Sequence, residues 1–233
     1  MLLIVIAIAA FASTLLGGLL ALRLRDKLHL ILGFSAGAVI GVAFFDLLPE
    51  AVNLGQRFHS PAVILSWTAL GFLLYLVLDR IMLFHGEAAP RGPFAAGVLC
   101  IHSLLDGVAV GVAFQTSREV GIVVAIGVLS HDFSDGINTM NVVLKNRGDR
   151  RQAFRWLLAD ALAPVAGVAS TYFFTLPGDG LGTALALFAG FFLYIGASDL
   201  IPESYHAHPK FLTTAMTLAG AAVLYLAVAL IGQ

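Results

Sequence analysis

Charged residues are scarce in this chain, and their scarcity excludes a soluble globular protein. Only 12% of its 233 residues are Asp, Glu, Lys or Arg, while 59% are hydrophobic. A soluble domain carries about 25% charged residues, which it needs to cover a surface that faces water. The chain also has a single cysteine, Cys100, which excludes a disulfide framework or a thiolate metal cluster. With a net charge of −1 there is no excess of basic residues for a nucleic-acid partner.

The chain contains long runs of apolar residues. A membrane-spanning helix needs about 20 mainly apolar residues. Eight such stretches are present, at residues 1–22, 29–50, 61–84, 93–115, 119–144, 152–175, 182–204 and 211–231. The connecting loops are short. The sequence therefore predicts an all-α integral membrane protein of eight transmembrane helices, in which residues 1–233 form a single transmembrane domain in the lipid bilayer.

The basic residues fall almost entirely on one side of these predicted helices. Eleven of the thirteen Lys and Arg residues lie in or beside the loops after helices 1, 3, 5 and 7, and the other two are Arg57 and Arg118. Because positively charged loops stay in the cytoplasm, we expect both termini to lie outside. We expect the membrane to be the plasma (inner) membrane.

Two pairs of related motifs link the two halves of the chain. Helix 2 ends in DLLPEA from Asp46, and helix 7 ends in DLIPES from Asp199. Helix 4 contains HSLLDG from His102, and helix 5 contains HDFSDG from His131. The two members of each pair lie on helices that cross the membrane in opposite directions. Such matches are typical of an inverted repeat, here helices 1–4 against helices 5–8, which is a transporter architecture. A duplication retained for packing alone is the alternative.

Many of the acidic residues lie inside the predicted helices. These residues are Asp46, Glu50, Asp106, Asp132, Asp135, Asp160, Asp199 and Glu203. A carboxylate at the middle of a membrane helix costs about 2.5–3.5 kcal/mol. Four central ones therefore cost about 10–14 kcal/mol, which is comparable with a typical folding free energy of about 5–15 kcal/mol. Water, protons or a bound cation must offset this cost, and protonated acids in a polar bundle are the alternative to a cation.

The spacing of these acids favours a metal ion. His102 and Asp106 are four residues apart, so their side chains share one face of helix 4. His131 and Asp135 repeat this spacing on helix 5, and Asp132 adds a carboxylate beside them. Imidazole together with carboxylate suits zinc, iron or manganese, whereas magnesium and calcium prefer oxygen ligands alone. The sequence thus predicts a metal site between helices 4 and 5, with histidines that serve only helix packing as the alternative.

Acidic pairs also lie at the ends of helices 2 and 7, and each pair has a proline between its members. The pairs are Asp46 and Glu50 at the outer end of helix 2, and Asp199 and Glu203 at the inner end of helix 7. We interpret them as mouths of a pathway that collect cations on opposite faces of the membrane. His206 and His208 follow on the cytoplasmic side and can accept a metal that leaves the pathway. Hydrated carboxylates at helix ends are the alternative.

These motifs, in an eight-helix chain, resemble the ZIP (Zrt/Irt-like protein) family of divalent metal transporters, in its prokaryotic-type form with short loops. In that family helix 4 commonly reads H-N-x-P-E-G, and helix 5 reads H-E-x-P-x-E or a close variant. The resemblance implies a first metal site formed by His102, Asp106, His131 and Asp135. It implies a second, adjacent site bordered by Ser103, Asp106, Asp132 and Asp135.

The chain departs from the family pattern at several of these positions. Ser103 replaces the family's asparagine, and both glutamates are shortened, to Asp106 and Asp135. Helix 6 usually supplies a Glu-Pro pair to the second site, but here Ala163 precedes the proline. Asp160, one turn earlier, is the residue that would compensate. Mononuclear and binuclear centres both remain open.

The most consistent interpretation is a transporter that moves divalent transition metals, zinc above all but also iron, manganese or cadmium, into the cytoplasm by alternating access through this site. The metal is then the bound substrate and not a cofactor, and its binding should depend on pH because the ligands must be deprotonated. A homodimer is compatible with the sequence. The alternatives are an intramembrane zinc-dependent hydrolase and a membrane metal sensor without transport.

Overall fold

A computed structural model describes residues 1–21, 28–85, 91–145, 148–206 and 211–231. Within these ranges the regular secondary structure is helical, and eight of the helical stretches are long and apolar enough to cross a membrane. The eight predicted helices are therefore confirmed. Each of these spans is one continuous helical stretch, in some cases made of two or more consecutive helical elements. The spans are Leu2–Leu20, His29–Gly55, Pro61–Ile81, Ala96–Thr116, Arg118–Leu144, Arg150–Phe173, Gly178–Tyr205 and Phe211–Leu230.

The helices are numbered here in chain order. Helix α1 is Leu2–Leu20, α2 is Leu28–Val42, α3 is Leu48–Gly55, α4 is Pro61–His85, α5 is Arg91–Thr116, α6 is Arg118–Lys145, α7 is Arg150–Ser170, α8 is Gly178–Tyr194, α9 is Ile201–His206 and α10 is Phe211–Ile231. The second predicted helix thus corresponds to α2 and α3 together, and the seventh to α8 and α9. Predicted helices 4 and 5, which carry the histidine motifs, are α5 and α6.

Two of the spans contain a wider π-helical turn, which the sequence pattern did not predict. The turns are Ala43–Leu47, between α2 and α3, and Ile195–Leu200, between α8 and α9. Each lies just before the proline of a DLxPE motif. Pro49 and Pro202 have no N–H to give to the carbonyl four residues earlier, and a proline in a helix interior loosens the hydrogen bonds around that carbonyl. Single π turns are frequent at functional sites.

Glycines set how closely the helices around the candidate site approach each other. A Cβ on Gly107 of α5 would overlap the backbone of Pro164 in α7, and a Cβ on Gly136 of α6 would overlap the backbone of Thr14 in α1. Small residues of this kind let membrane helices pack backbone to backbone. The two motif-bearing helices are therefore fixed against α7 and α1 directly beside the aspartates of their motifs.

The helices form two groups. Helices α1, α5, α6 and α7 pack on one another and are called the site group below. The pairs α2 with α10 and α4 with α8 form the second group, the frame group, which also includes α3 and α9. The groups meet where α2 lies against α6 and where α8 lies against α5. The candidate metal ligands thus lie on the two site-group helices that face the frame group.

Candidate metal centre

Helices α5 and α6 bring the two histidine–aspartate pairs together inside the bundle. His102, Asp106, His131 and Asp135 each offer a ligand atom, and these four atoms all lie within 4.8 Å of one another. All four residues are buried, with at most 6% of any of them exposed. Within the described residues, this is the group of His, Cys, Asp and Glu side chains that is arranged to hold a metal ion. The structure therefore forms the cluster that the i, i+4 spacing predicts.

Asp135 is the most connected member of this four-residue cluster. Its Oδ2 lies 2.8 Å from His131 Nδ1 on its own helix and 3.7 Å from His102 Nε2 on the neighbouring helix. His102 Nε2 also lies 3.2 Å from Asp106 Oδ2. Donor atoms around a tetrahedral zinc ion are about 3.3–3.5 Å apart, since each lies about 2.0–2.2 Å from the metal. These distances therefore suit a small divalent ion after minor side-chain adjustments.

Three buried polar atoms in and beside the cluster have no hydrogen-bond partner among the described residues. They are Nε2 of His131, Oδ2 of Asp106, which faces His102 Nε2 at 3.2 Å, and Oδ2 of Asp132. An unpartnered buried polar atom costs about 1–3 kcal/mol, and an unpaired charge costs more. A cation held among these groups offsets that cost, so the donor set fits a divalent metal.

The residues proposed for a second metal site are arranged differently from the four-residue cluster. Ser103 donates a hydrogen bond of 2.7 Å to Oδ1 of Asp160, and Thr139 donates one of 2.8 Å to Oδ2 of the same carboxylate. Each oxygen of Asp160 thus accepts a hydrogen bond from a hydroxyl group, and the three side chains tie α5, α6 and α7 together. Asp132 is buried close by, outside the four-residue group.

The hydrogen bonds of Asp160 lead to a prediction about stoichiometry. We expect Asp160→Asn to leave one zinc ion bound per chain, because Asp160 lies outside the four-residue cluster and its two oxygens accept hydrogen bonds from Ser103 and Thr139. The variant should lower the melting temperature, since one amide nitrogen then faces a hydroxyl donor. The measurement is zinc content by elemental analysis after gel filtration. Two ions in the wild type and one in Asp160→Asn would contradict this interpretation.

The predicted mouth residues lie at the two π-helical turns and just beyond them. Asp46 is buried within the first turn and Asp199 is partly exposed in the second. Glu50 is partly exposed and accepts a long hydrogen bond of 3.4 Å from Asn53, while Glu203 is exposed.

Asp199 is a mouth residue whose carboxylate interacts electrostatically with members of the cluster. It lies near enough to His102 and Asp135 for their charges to act on its carboxylate. His206 ends α9, and its side chain lies outside the described positions, as does the whole of His208.

Two residues near the cluster were not predicted from the sequence. The hydroxyl oxygen of Tyr75 in α4 lies 2.6 Å from Nδ1 of His102. Thr139 donates the hydrogen bond to Asp160 described above. Tyr75 lies in an apolar run with no motif around it, and it approaches His102 only because of the packing of distant helices. Thr139 lies four residues after Asp135, on the same face of α6, and this spacing was the available signal.

Comparison with known proteins agrees with this architecture. A family model described as ZIP Zinc transporter matches residues 94–227, which include most of α5, all of α6 and the four clustered residues. Among curated relatives, Zinc transporter ZupT of Corynebacterium aurimucosum is 26% identical over 94% of this chain and 92% of its own length. Zinc transporter ZIP13 of Pongo abelii is 25% identical over 74% of this chain and 57% of its own length.

The family match covers more than half of the chain and includes both histidine motifs, and the resemblance to ZupT extends over nearly all of it. The eight membrane-spanning helices and the buried His/Asp cluster agree with these matches. The chain belongs to the ZIP zinc transporter family.

Proposed function

We propose that this protein carries divalent transition metal ions, zinc in the first place, across the membrane into the cytoplasm. The observation that carries this proposal is the buried His102, Asp106, His131 and Asp135 cluster on two membrane-spanning helices. Two imidazoles and two carboxylates form a donor set for zinc, iron or manganese, and not for magnesium or calcium. The relatives named as zinc transporters support zinc as the main substrate.

In this proposal the four clustered residues are the metal ligands at the middle of the path. Ser103, Asp132 and Asp160 border them without completing a second site. The acidic pairs at the π-helical turns, with the histidines that follow α9, attract cations at the two ends. The electrostatic interaction of Asp199 with His102 and Asp135 supports a connection between the cluster and one of these ends.

The movement that exposes the site alternately is proposed to take place between the site group and the frame group. Close glycine contacts join helices within each group: Gly136 of α6 against α1, and Gly71 of α4 against Leu187 of α8. Backbone-to-backbone packing of this kind resists sliding, so each group is expected to move as a unit. Movement of one helix bundle against another around a central site is the general scheme for transporters of this kind.

The inverted repeat predicted from the motifs remains part of the proposal. A π-helical turn in each DLxPE span supports the match between helices 2 and 7. Two glycine contacts support the match between helices 4 and 5. Gly107 follows the motif aspartate of α5 and contacts Pro164 of α7. Gly136 follows the motif aspartate of α6 and contacts Thr14 of α1.

Orientation and assembly are proposed on sequence grounds. The concentration of Lys and Arg in the odd-numbered loops supports an arrangement with both termini outside the plasma membrane. Ions would then move from the outside through the cluster to the cytoplasm. The homodimer stays a prediction.

A hydrolase is disfavoured by the number of ligands. A catalytic zinc ion has three protein ligands and an open position for water or substrate, whereas four side chains converge here. The relatives are likewise named as zinc transporters.

Metal competition tests the proposed substrate class. The purified protein is reconstituted into liposomes, and uptake of radiolabelled zinc is measured with a hundredfold excess of a second metal. At an excess of about this size, a competitor of equal affinity occupies nearly all of the binding sites. We expect iron(II), manganese(II) and cadmium(II) to reduce zinc uptake strongly, and magnesium and calcium to leave it unchanged. Equal inhibition by magnesium would show that the donor set has been wrongly assigned.

A further inference from the structure

Tyr75 is a polar residue on a helix that otherwise faces mainly outwards. Its neighbours Leu73, Leu74 and Val77 are exposed on the outer surface of α4, whereas Tyr75 is 6% exposed and points into the bundle. Its hydroxyl oxygen lies 2.6 Å from Nδ1 of His102. The residue therefore connects α4 of the frame group with a ligand of the site group.

Three aromatic contacts fix the position of this hydroxyl. The ring of Tyr75 packs against Phe191 and Tyr194 of α8, with centroid distances of 5.6 Å and 5.2 Å. It meets the His102 imidazole edge to face at 5.9 Å. Because α4 and α8 also pack closely through Gly71 and Gly190, the ring has little freedom to move. Its oxygen is therefore held in place before any metal arrives.

The hydrogen bond determines which nitrogen of His102 is free to bind a metal. Nε2 faces the other ligands, at 3.2 Å from Asp106 and 3.7 Å from Asp135. To bind a cation, Nε2 needs its lone pair, so the proton of the neutral ring must be on Nδ1. A metal-binding histidine normally donates that second N–H to an oxygen, which fixes both the tautomer and the ring orientation. Tyr75 Oη is the oxygen in the required position.

We propose that Tyr75 is a positioning residue for the metal site, accepting the Nδ1 proton of His102 so that Nε2 faces the ion. This inference rests on the proposed function, in which His102 is a metal ligand. The hydrogen-bond partner of His102 Nδ1 lies in the frame group, whereas Nδ1 of His131 forms a hydrogen bond with Asp135 of the same helix. When the two groups move past each other, the bond from Tyr75 must break and His102 loses its support. The affinity for the metal is therefore highest in the arrangement seen here, and it falls as the groups move.

Tyr75→Phe is the direct test, because it removes only the hydroxyl and keeps the aromatic packing. In liposomes we expect the KM for zinc to rise about 10- to 100-fold, the usual cost of losing an outer partner of a metal ligand. The maximal rate should not fall, since the lost bond must break during transport. Tyr194→Phe is the matched control. It removes a hydroxyl from the same aromatic cluster, but that hydroxyl bonds Asp79 at 2.9 Å and not a ligand, so the KM should be unchanged.

The outcomes separate this inference from the proposed function. An unchanged KM in Tyr75→Phe, with normal zinc transport by the wild type and none by His102→Ala, would overturn the positioning role and leave the transporter assignment intact. A lower maximal rate at unchanged KM would also overturn it, because that is the result of a purely structural role. A wild-type protein that neither binds nor transports zinc would remove both proposals.

A second measurement needs no variant of Tyr75. Nitrogen-15 NMR of the zinc-loaded wild type, with the signals of His102 assigned by their loss in His102→Ala, reports which ring nitrogen carries the proton. The proposal requires a proton on Nδ1 and zinc on Nε2. A proton on Nε2 would contradict it even if Tyr75→Phe did not fold.

Discussion

Replacing Asp135 with alanine is expected to abolish zinc accumulation by cells that produce this protein. Asp135 is the ligand that contacts both histidines, at 2.8 Å from His131 and 3.7 Å from His102. Its removal takes away one metal donor and leaves both imidazoles without their shared carboxylate. The affinity should fall by more than about 100-fold, since the loss of an outer-shell partner alone costs about 10- to 100-fold.

Two further variants show whether the loss comes from the metal site. Asp135→Asn keeps the volume of the side chain but removes its charge, and it should be nearly as inactive as the alanine variant. Asp179→Ala makes the same chemical change at an exposed position in the first turn of α8, and it should accumulate zinc as the wild type does. The protein level in the membrane is measured by immunoblot for all variants. Wild-type accumulation in Asp135→Ala would refute the assignment of this cluster.

The second large effect is expected from a single methyl group at Gly136. A Cβ at this position would overlap the carbonyl of Thr14 and approach the backbone nitrogen of Gly18, both in α1. Backbone atoms cannot rotate away as a side chain does, so α1 and α6 must separate. Overpacking of this kind costs about 1–3 kcal/mol or more. Because Asp135 is the preceding residue, its carboxylate should shift and zinc affinity should also fall.

Gly97 provides the matched control for this experiment. A Cβ there would meet only the ring of Trp156 at 3.5 Å, an ordinary van der Waals distance. Gly97→Ala should therefore stabilise the protein slightly, by about 0.4–1 kcal/mol, through the lower entropy of the unfolded chain. Melting temperatures in detergent are compared for the two variants and the wild type. A melting temperature of Gly136→Ala at or above that of Gly97→Ala would show that the α1–α6 contact is not as close as described.

The membrane helices and the two histidine–aspartate pairs could be predicted from the sequence, although spacing also grouped Asp132 with them and the set of four came from the family resemblance. The helices follow from apolar length, since a span needs about 20 such residues. The His102–Asp106 and His131–Asp135 pairs follow from the 3.6-residue period of one helix, which is a local property. The remaining step, that α5 and α6 face each other, came from the relation between the two motifs.

The features that could not be predicted depend on contacts between distant parts of the chain. Tyr75 reaches His102 from another helix, and the hydrogen bonds of Ser103 and Thr139 to Asp160 require three helices to be in register. The family resemblance made Asp160 a candidate ligand, and its hydrogen bonds to two hydroxyl groups depend on the packing of these helices. The π-helical turns were also missed, although the prolines of the DLxPE motifs were visible, because a proline alone does not determine how a helix rearranges.

Zinc flux through the purified protein tests the central claim most directly. Wild-type protein and Asp135→Asn are reconstituted in equal amounts into separate liposomes, and the entry of radiolabelled zinc is followed against protein-free liposomes. We expect saturable uptake by the wild type and, for Asp135→Asn, uptake no faster than that of the protein-free liposomes. Wild-type liposomes that take up no more zinc than protein-free ones, or equal uptake by the two proteins, would contradict it.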